Sequence, residues 1–393
     1  MRKIYFFILL LFISFQNIQS QGLQLSVYSE ISIITVGPGD ALFEAFGHSA
    51  IRVKDPVLQM DVVYNYGLFD FNQPDFYLNF TKGKLLYKLG KGPFKNFVLN
   101  YNYQQRWMKA QVLNLSQQER QKMYGLLEVN ALRENAEYLY DPYFNNCATK
   151  LRDITKEVLG DEVQFPTSYS EENYSLRQLM NKEISWNTWG NFGINLALGN
   201  KLDKDISAEQ YMYLPDYVYL AYKKANKTEN GKTISLVKNE SPILNFKEKE
   251  IKIVWYNPIF IFSVLLLVTI VITYRDQKRN KRSKWLDFTV YFTTGVIGLL
   301  ICFLWFFTDH FTTPNNFNFL WAFFPNVFIS FIFLKKKLPS WINQYNRFIL
   351  LLLLATVVVW LFEIQQFSIA IIPILALLFL RNLYLLRLLT SKE

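Results

Sequence analysis

The last third of the chain carries five strongly apolar stretches, at residues 257–274, 286–307, 319–334, 348–362 and 367–380. Each can cross a hydrocarbon layer as a helix once tilt is allowed for. They predict an all-α membrane domain of five transmembrane helices over residues 253–393. Lys and Arg fall in alternate connections. Arg275, Lys278, Arg279, Lys281, Arg282 and Lys284 follow the first stretch, Lys335, Lys336, Lys337 and Arg347 follow the third, and Arg381, Arg387 and Lys392 close the chain. The connections 308–318 and 363–366 carry none. By the positive-inside rule the C-terminus is cytoplasmic and everything before residue 257 lies outside a bacterial cytoplasmic membrane. These same residues account for the net charge of +10, so nucleic acid is not an expected partner. Trp255, Tyr256, Trp285, Trp305 and Trp341 fall where interfacial aromatic anchors belong.

The other end agrees with this orientation. Residues 1–20 combine Arg2 and Lys3, a short apolar run and a small residue before Gln21, the pattern of a secretory signal peptide. Residues 21–222 are then an exported, periplasmic domain. Residues 223–252, rich in Lys, Asn, Glu and Ser and holding Asn230-Gly231, read as a polar, partly flexible linker. Such a tether keeps the exported domain close to lipid headgroups and raises the effective concentration of a membrane-embedded substrate.

Within the exported domain, alternation and turn signals predict strands at 30–36, 42–53 and 61–66, with further strands in 84–89 and 97–112. Ser116 and Glu119 form a capping-box pattern opening a helix to about residue 135. Cys147 is the only cysteine of this domain and His48 its only histidine. Cys147 follows Asp141-Pro142, a turn signal, and Asn145-Asn146, a favoured cap, so it falls in the first turn of a helix running to Leu159. A helix start stabilises a thiolate and offers free backbone amides to an oxyanion. His48 shares one face of its strand with Phe46, Ala50 and Arg52. A lone cysteine or a lone strand histidine is more often a packing residue; the two together, in a compartment that favours disulfides but offers no partner thiol, make a candidate nucleophile and base.

Several segments carry a family resemblance: Phe46-Gly47-His48-Ser49-Ala50-Ile51-Arg52, Val63-Tyr64-Asn65-Tyr66-Gly67, Asn145-Asn146-Cys147-Ala148-Thr149-Lys150-Leu151-Arg152-Asp153 and Met212-Tyr213-Leu214-Pro215. Asp309-His310 and Asn316-Phe317-Asn318-Phe319-Leu320-Trp321 add to them in the membrane part. In this order they resemble the Lnb family, which is linked to lipoprotein N-acyltransferase activity. The resemblance implies an α+β exported domain of permuted papain-like, NlpC-type fold, in which the histidine strand precedes the cysteine helix. It also implies a reaction. His48 takes the Cys147 proton, the thiolate attacks a membrane phospholipid ester, and the acyl thioester is passed to the α-amine of a diacylglyceryl lipoprotein. Asn65, on the next strand, is the candidate to orient His48, as an amide oxygen fixes an imidazole tautomer; an ordinary strand amide is the equal alternative. Tyr64 and Tyr66 face away, and Glu44 reads as solvated.

His310, Asn316 and Asn318 are candidate substrate-binding residues for a headgroup or the lipoprotein amine, set against the plainer reading of a polar loop at a helix end. No cofactor or metal is expected, since an isolated His-Asp pair is no ligand cluster. Cys302 and the aromatic run 184–198 read as packing, and Arg106, Arg152 and Arg177 as ion-pairing residues. Two other functions fit part of the pattern: an NlpC-type cell-wall peptidase or amidase, and a non-catalytic lipid-binding envelope module.

Overall fold

Residue alternation in the first half of the chain builds a sheet with two buried faces. The computed structural model describes residues 23–167, 173–248 and 253–390; the expected signal peptide, residues 1–20, and Lys392 lie outside them. Ten strands are present among the described residues: β1 (Glu30–Val36), β2 (His48–Asp55), β3 (Met60–Leu68), β4 (Leu86–Pro93), β5 (Met108–Leu113), β6 (Glu137–Leu139), β7 (Val163–Gln164), β8 (Asn226–Glu229), β9 (Lys232–Ser235) and β10 (Val237–Leu244). Seven form an antiparallel sheet in the order β10-β5-β1-β2-β3-β4-β6, and β7-β8-β9 form a small second sheet.

The helices of this domain are α1 (Phe76–Thr81), α2 (Phe94–Tyr103), α3 (Gln117–Asn130), α4 (Cys147–Leu159), α5 (Leu176–Glu183), α6 (Trp189–Ala197) and α7 (Pro215–Lys224). One face of the main sheet, with Ile51, Val53 and Tyr64, packs on α3, α4 and the segment Met212, Tyr213 and Leu214. The other, with Ile34, Ala50 and Val63, packs on Phe94, Phe97 and Tyr101 of α2.

Four local expectations shift. The strand expected over 42–53 begins only at His48. Residues Leu42–Glu44 make a 3-10 turn, and Gly47 takes φ +73 beside the Val36 carbonyl, where a side chain would collide. The expected strand 97–112 divides into α2 and β5. Pro93 caps α2, and Phe94, Phe97 and Tyr101 recur at helical spacing on its buried face. The strand expected at 84–89 lies at Leu86–Pro93. The Ser116–Glu119 capping box is formed, but the helix stops at Asn130, where the Asn135 amide donates to the Val129 carbonyl.

The linker expected over 223–252 is mostly folded. It contains the end of α7 and strands β8, β9 and β10. Asn230 and Gly231, at φ 51 and 73, form the two-residue hairpin turn that demands positive φ, and β10 pairs with β5 at the sheet edge. Residues 249–252 lie outside the described residues.

In the C-terminal part, four helices are long and apolar enough to cross a membrane: α8 (Pro258–Lys278), α9 (Lys284–Phe306), α12 (Trp341–Leu361) and α13 (Ile371–Thr390). The third apolar stretch, expected as a continuous helix, is broken into α10 (Asn318–Trp321), α11 (Asn326–Ile329) and a 3-10 turn, Ser330–Leu334. Pro325 removes a backbone donor at the break. The segment presses its backbone on α9, where a Cβ on Gly295 would meet Val327 N and one on Gly298 would meet the Ala322 carbonyl. It nevertheless runs the length of α9, from Thr313 Oγ1, which donates to Leu304 O at 2.7 Å, to Arg282, which donates to Phe333 O and Lys335 O at 2.7 and 2.6 Å. Irregular backbone is tolerated at this depth because it is buried in protein.

The sheet domain is seated directly on this bundle. Gly199 N donates to Thr312 O at 2.9 Å, Asn200 N to Asn315 O at 3.1 Å, and Asp309 N to Lys82 O at 2.8 Å. At the seat a Cβ on Gly199 would overlap the Pro314 carbonyl. Gly199→Val should therefore cost about 1–3 kcal/mol and lower the thermal midpoint of the detergent-solubilised protein. Gly193→Ala, with open space around the added methyl, should leave the midpoint unchanged or raise it.

Candidate active site

The site is built where the end of the sheet meets the start of α4. Asp141 closes the preceding turn, its Oδ1 accepting from Tyr143 N at 2.8 Å and Phe144 N at 3.0 Å. Asn146 then caps the helix, its Oδ1 accepting from Ala148 N and Thr149 N, both at 2.9 Å, while Thr149 Oγ1 accepts from Asn146 N at 2.8 Å. The Asn146 amide nitrogen donates to Pro142 O at 2.7 Å and Tyr213 O at 2.8 Å. This fixes Cys147 as the first helical residue, buried at the start of α4.

His48 is the first residue of β2, at the end of the sheet, and its ring is in hydrogen-bonding reach of the Cys147 thiol. Its Nε2 donates to Asn65 Oδ1 at 2.6 Å, which leaves Nδ1 for the sulfur. Register explains the Asn65 contact: Ile51 pairs with Tyr64, so Asn65 stands opposite Ala50 and diagonal to His48 on the same face. Tyr101 stacks on the ring with centroids 6.3 Å apart, and Phe97 lies 6.4 Å away. Two of the three expected roles thus concern directly bonded neighbours, and the third residue, Cys147, meets them from the adjacent helix.

The electrostatics bring the proton affinities of the thiol and the imidazole toward each other. Burial pushes the Cys147 thiol up, but the His48 charge, its hydrogen bond and the Ser49 and Ala148 amides outweigh burial and hold the thiol below its ordinary value. Burial pulls His48 down, but the Cys147 charge and the hydrogen bonds to Cys147 and Asn65 outweigh it and raise the imidazole; Arg106 opposes them weakly. Arg106 is buried, donating from Nε to Gly37 O at 2.7 Å, and Glu44 Oε1 lies 3.6 Å from its Nη1. Glu44 is therefore a partner of Arg106, where a solvated carboxylate was expected.

The candidate substrate residues are placed differently from one another. Asn316 and Asn318 are 1% and 2% exposed. Asn316 Nδ2 donates to Leu196 O at 2.7 Å and Asn318 Nδ2 to Asn195 O at 3.0 Å, so their amides join the two domains and do not face a ligand. His310 is half-buried against Gly83 and the Phe80 ring, with burial holding its pKa below the ordinary value. Arg177 is an ion-pairing residue as expected, with Nε 2.8 Å from Asp203 Oδ1 and Nη1 donating to Asn195 Oδ1 at 3.0 Å. Arg152 pairs with Asp153 at 2.7 Å. Among the described residues no group of three or more His, Cys, Asp or Glu side chains is placed to hold a metal.

Sequence reasoning missed Gly67 and two tyrosines. Gly67 takes φ +88; a Cβ there would stand 3.8 Å from Cys147 Cβ, 3.8 Å from the Tyr138 hydroxyl and 3.5 Å from the Tyr140 ring. The glycine thus brings the end of β3 close against the Cys147 side chain and the two tyrosines. The alternation Tyr138-Leu139-Tyr140 just before the Asp141 turn was the available signal.

The profile of the Lnb N-terminal periplasmic domain matches residues 19–181, and that of the Lnb transmembrane domain matches residues 248–393. The chain belongs to the Lnb family. Lnb domains point to a lipoprotein-modifying enzyme of the envelope, an acyltransferase, held in the inner membrane with its N-terminal domain in the periplasm. No curated protein and no solved structure matches the chain.

The lowered thiol has a pH signature. Iodoacetamide should alkylate Cys147 below the ordinary thiol range, because the thiolate persists until pH falls through its lowered pKa. In His48→Ala burial acts with less opposition, and the onset should move upward; an unchanged profile would separate the two residues. Asn146→Ala removes a cap worth about 1–2 kcal/mol and should lower the unfolding free energy by at least that much, measured by thermal or denaturant melts.

Proposed function

We propose that this Lnb protein is a cysteine-dependent lipoprotein N-acyltransferase: it moves an acyl chain from a glycerophospholipid, through a thioester on Cys147, to the α-amine of a diacylglyceryl-cysteine. The reading rests above all on one arrangement, a buried thiol paired with an imidazole whose other nitrogen is held by an amide oxygen, in a domain seated on membrane helices. The order of histidine strand, asparagine strand and cysteine helix supports a permuted papain-like core. The basic residues at the Arg282 and Lys335 end of the bundle support a cytoplasmic C-terminus.

In the first half-reaction Cys147 gives its proton to Nδ1 of His48 and the thiolate adds to the ester carbonyl. The Cys147 amide, among the first helical N–H groups without an intrahelical partner, is available to donate to the resulting oxyanion. Collapse breaks the C–O bond, the imidazolium protonates the leaving alkoxide, and a lysophospholipid departs. In the second half-reaction the neutral α-amine adds to the thioester, His48 accepts its proton, and cleavage of the C–S bond returns the thiolate. Asn65 holds the His48 ring so that one nitrogen faces the sulfur throughout. Exclusion of water from the buried thiol favours aminolysis over hydrolysis.

The test is N-terminal mass spectrometry of lipoproteins from cells whose only N-acylation route is this protein. Wild type should give N-acylated cysteine, while Cys147→Ala and Cys147→Ser should leave free amines. His48→Ala should slow transfer by roughly 10²–10⁴-fold, with Asn65→Ala in between. Full N-acylation by Cys147→Ala would overturn the reading, and cleaved wall peptides in place of N-acyl chains would mark a hydrolase.

A further inference from the structure

Beyond the thiol–imidazole pair, the most unusual surface of the sheet domain is aromatic and faces outward. Between β3 and β4, Phe71, Tyr77 and Phe80 are 48%, 70% and 48% exposed, a concentration that a freely soluble face rarely shows. These rings belong to a connected series. Phe80 lies 6.3 Å from Phe76, Phe76 6.1 Å from Phe69, Phe69 4.9 Å from Tyr87, and Tyr87 is stacked 4.3 Å from Tyr140. Tyr140 borders Gly67, which lies beside Cys147.

The other end of the series touches the membrane domain. The Phe80 ring lies 6.5 Å from His310, and Lys82, two residues on, accepts from Asp309 N. Asp309 follows the end of α9 at Phe306 by three residues, and Phe306 and Phe307 are exposed side chains of a membrane span. A further ring joins this series from the other side of the domain's end, in the turn before β2. Phe43, in the turn before His48, meets Phe69 and Phe71 edge-on at 5.7 and 6.2 Å. Its neighbour Leu42 packs on Gly190 of α6, beside Trp189, which donates to Tyr256 O just ahead of α8. The series therefore runs from the outer end of α9, at Phe80, to Gly67 beside Cys147, at Tyr140, and Phe43 ties it to the turn before His48.

We propose that this aromatic surface is the site at which a membrane glycerophospholipid lays an acyl chain, guiding its ester from the bilayer to Cys147; the proposal rests on the acyl-transfer reading and names where its donor binds. The occupant is lipid because the series touches the outer end of a membrane helix and its exposed rings, Phe71, Tyr77 and Phe80, offer a large apolar area. Aromatic rings suit such a path, since each presents a large apolar area to an alkyl chain.

The experiment uses the full chain carrying Cys147→Ala, so that no chemistry is needed, reconstituted in phosphatidylethanolamine–phosphatidylglycerol vesicles. A photoreactive benzoylphenylalanine replaces Phe71, Phe80 or, as control, Val57, which is exposed at the opposite end of β2. Irradiation should give phospholipid adducts at Phe71 and Phe80, read by intact-protein mass, and none at Val57. Adducts at Phe80 alone would mean that the bilayer touches the seat without a path, and would overturn the proposal. Protein adducts alone, or none, would overturn it as well. Lipid adducts at Phe71 in a protein whose wild type never N-acylates lipoproteins would uphold the lipid site and defeat the transfer reading; transfer by wild type without adducts at Phe71 would do the reverse.

Discussion

Asn146 stands where three separate parts of the chain have to agree. Its carbonyl oxygen caps α4, its amide nitrogen holds Pro142 O in the preceding turn, and the same nitrogen reaches Tyr213 O sixty-seven residues later. Tyr213 leads into Pro215, whose ring borders Gly47 at the turn before His48. One side chain thus fixes the start of the cysteine helix relative to the segment that supports the histidine strand. A buried amide with every group satisfied tolerates no small rearrangement, because a broken bond leaves an unpaired polar atom in the core. The alignment of sulfur, imidazole and Asn65 follows from that rigidity.

A second polar network fixes the site relative to the membrane. Arg177 donates to Asp203, to Asn195 and to the Leu198 and Gly199 carbonyls. Asp203 in turn accepts from Gln366 N at 3.1 Å, while Asn318 donates to Asn195 O. Deeper in the bundle, Arg381 binds Asp287 at 2.6 Å and Asp276 at 2.8 Å, joining α13 to α9 and α8. A buried charge is retained at such cost only when paired. These contacts hold the sheet domain on the bundle far more closely than a linker would.

What the sequence made legible was local. Asp141-Pro142 and Asn145-Asn146 announce the cysteine helix because turn and cap chemistry act within a few residues. His48 and Asn65 share a face because strand alternation is strict and their strands are neighbours. The divided span at 319–334 was hidden because its broken backbone is stabilised by Gly295 and Gly298 on another helix. The strands in 226–244 were hidden because β10 finds its partner, β5, about 130 residues earlier in the chain. The true work of Asn316 and Asn318 was hidden for the same reason, as their partners are carbonyls of α6. Loops near a membrane invite a binding role on composition alone; only their hydrogen-bond partners reveal a joint.

The central claim is that Cys147 carries the acyl group, and its most direct measurement is the intact mass of purified protein exposed to phospholipid without a lipoprotein acceptor. The account expects one acyl adduct, mapped to the peptide holding Cys147, released by neutral hydroxylamine and lost in His48→Ala. An adduct on another residue, or none in a preparation that goes on to N-acylate an added lipoprotein, would contradict it.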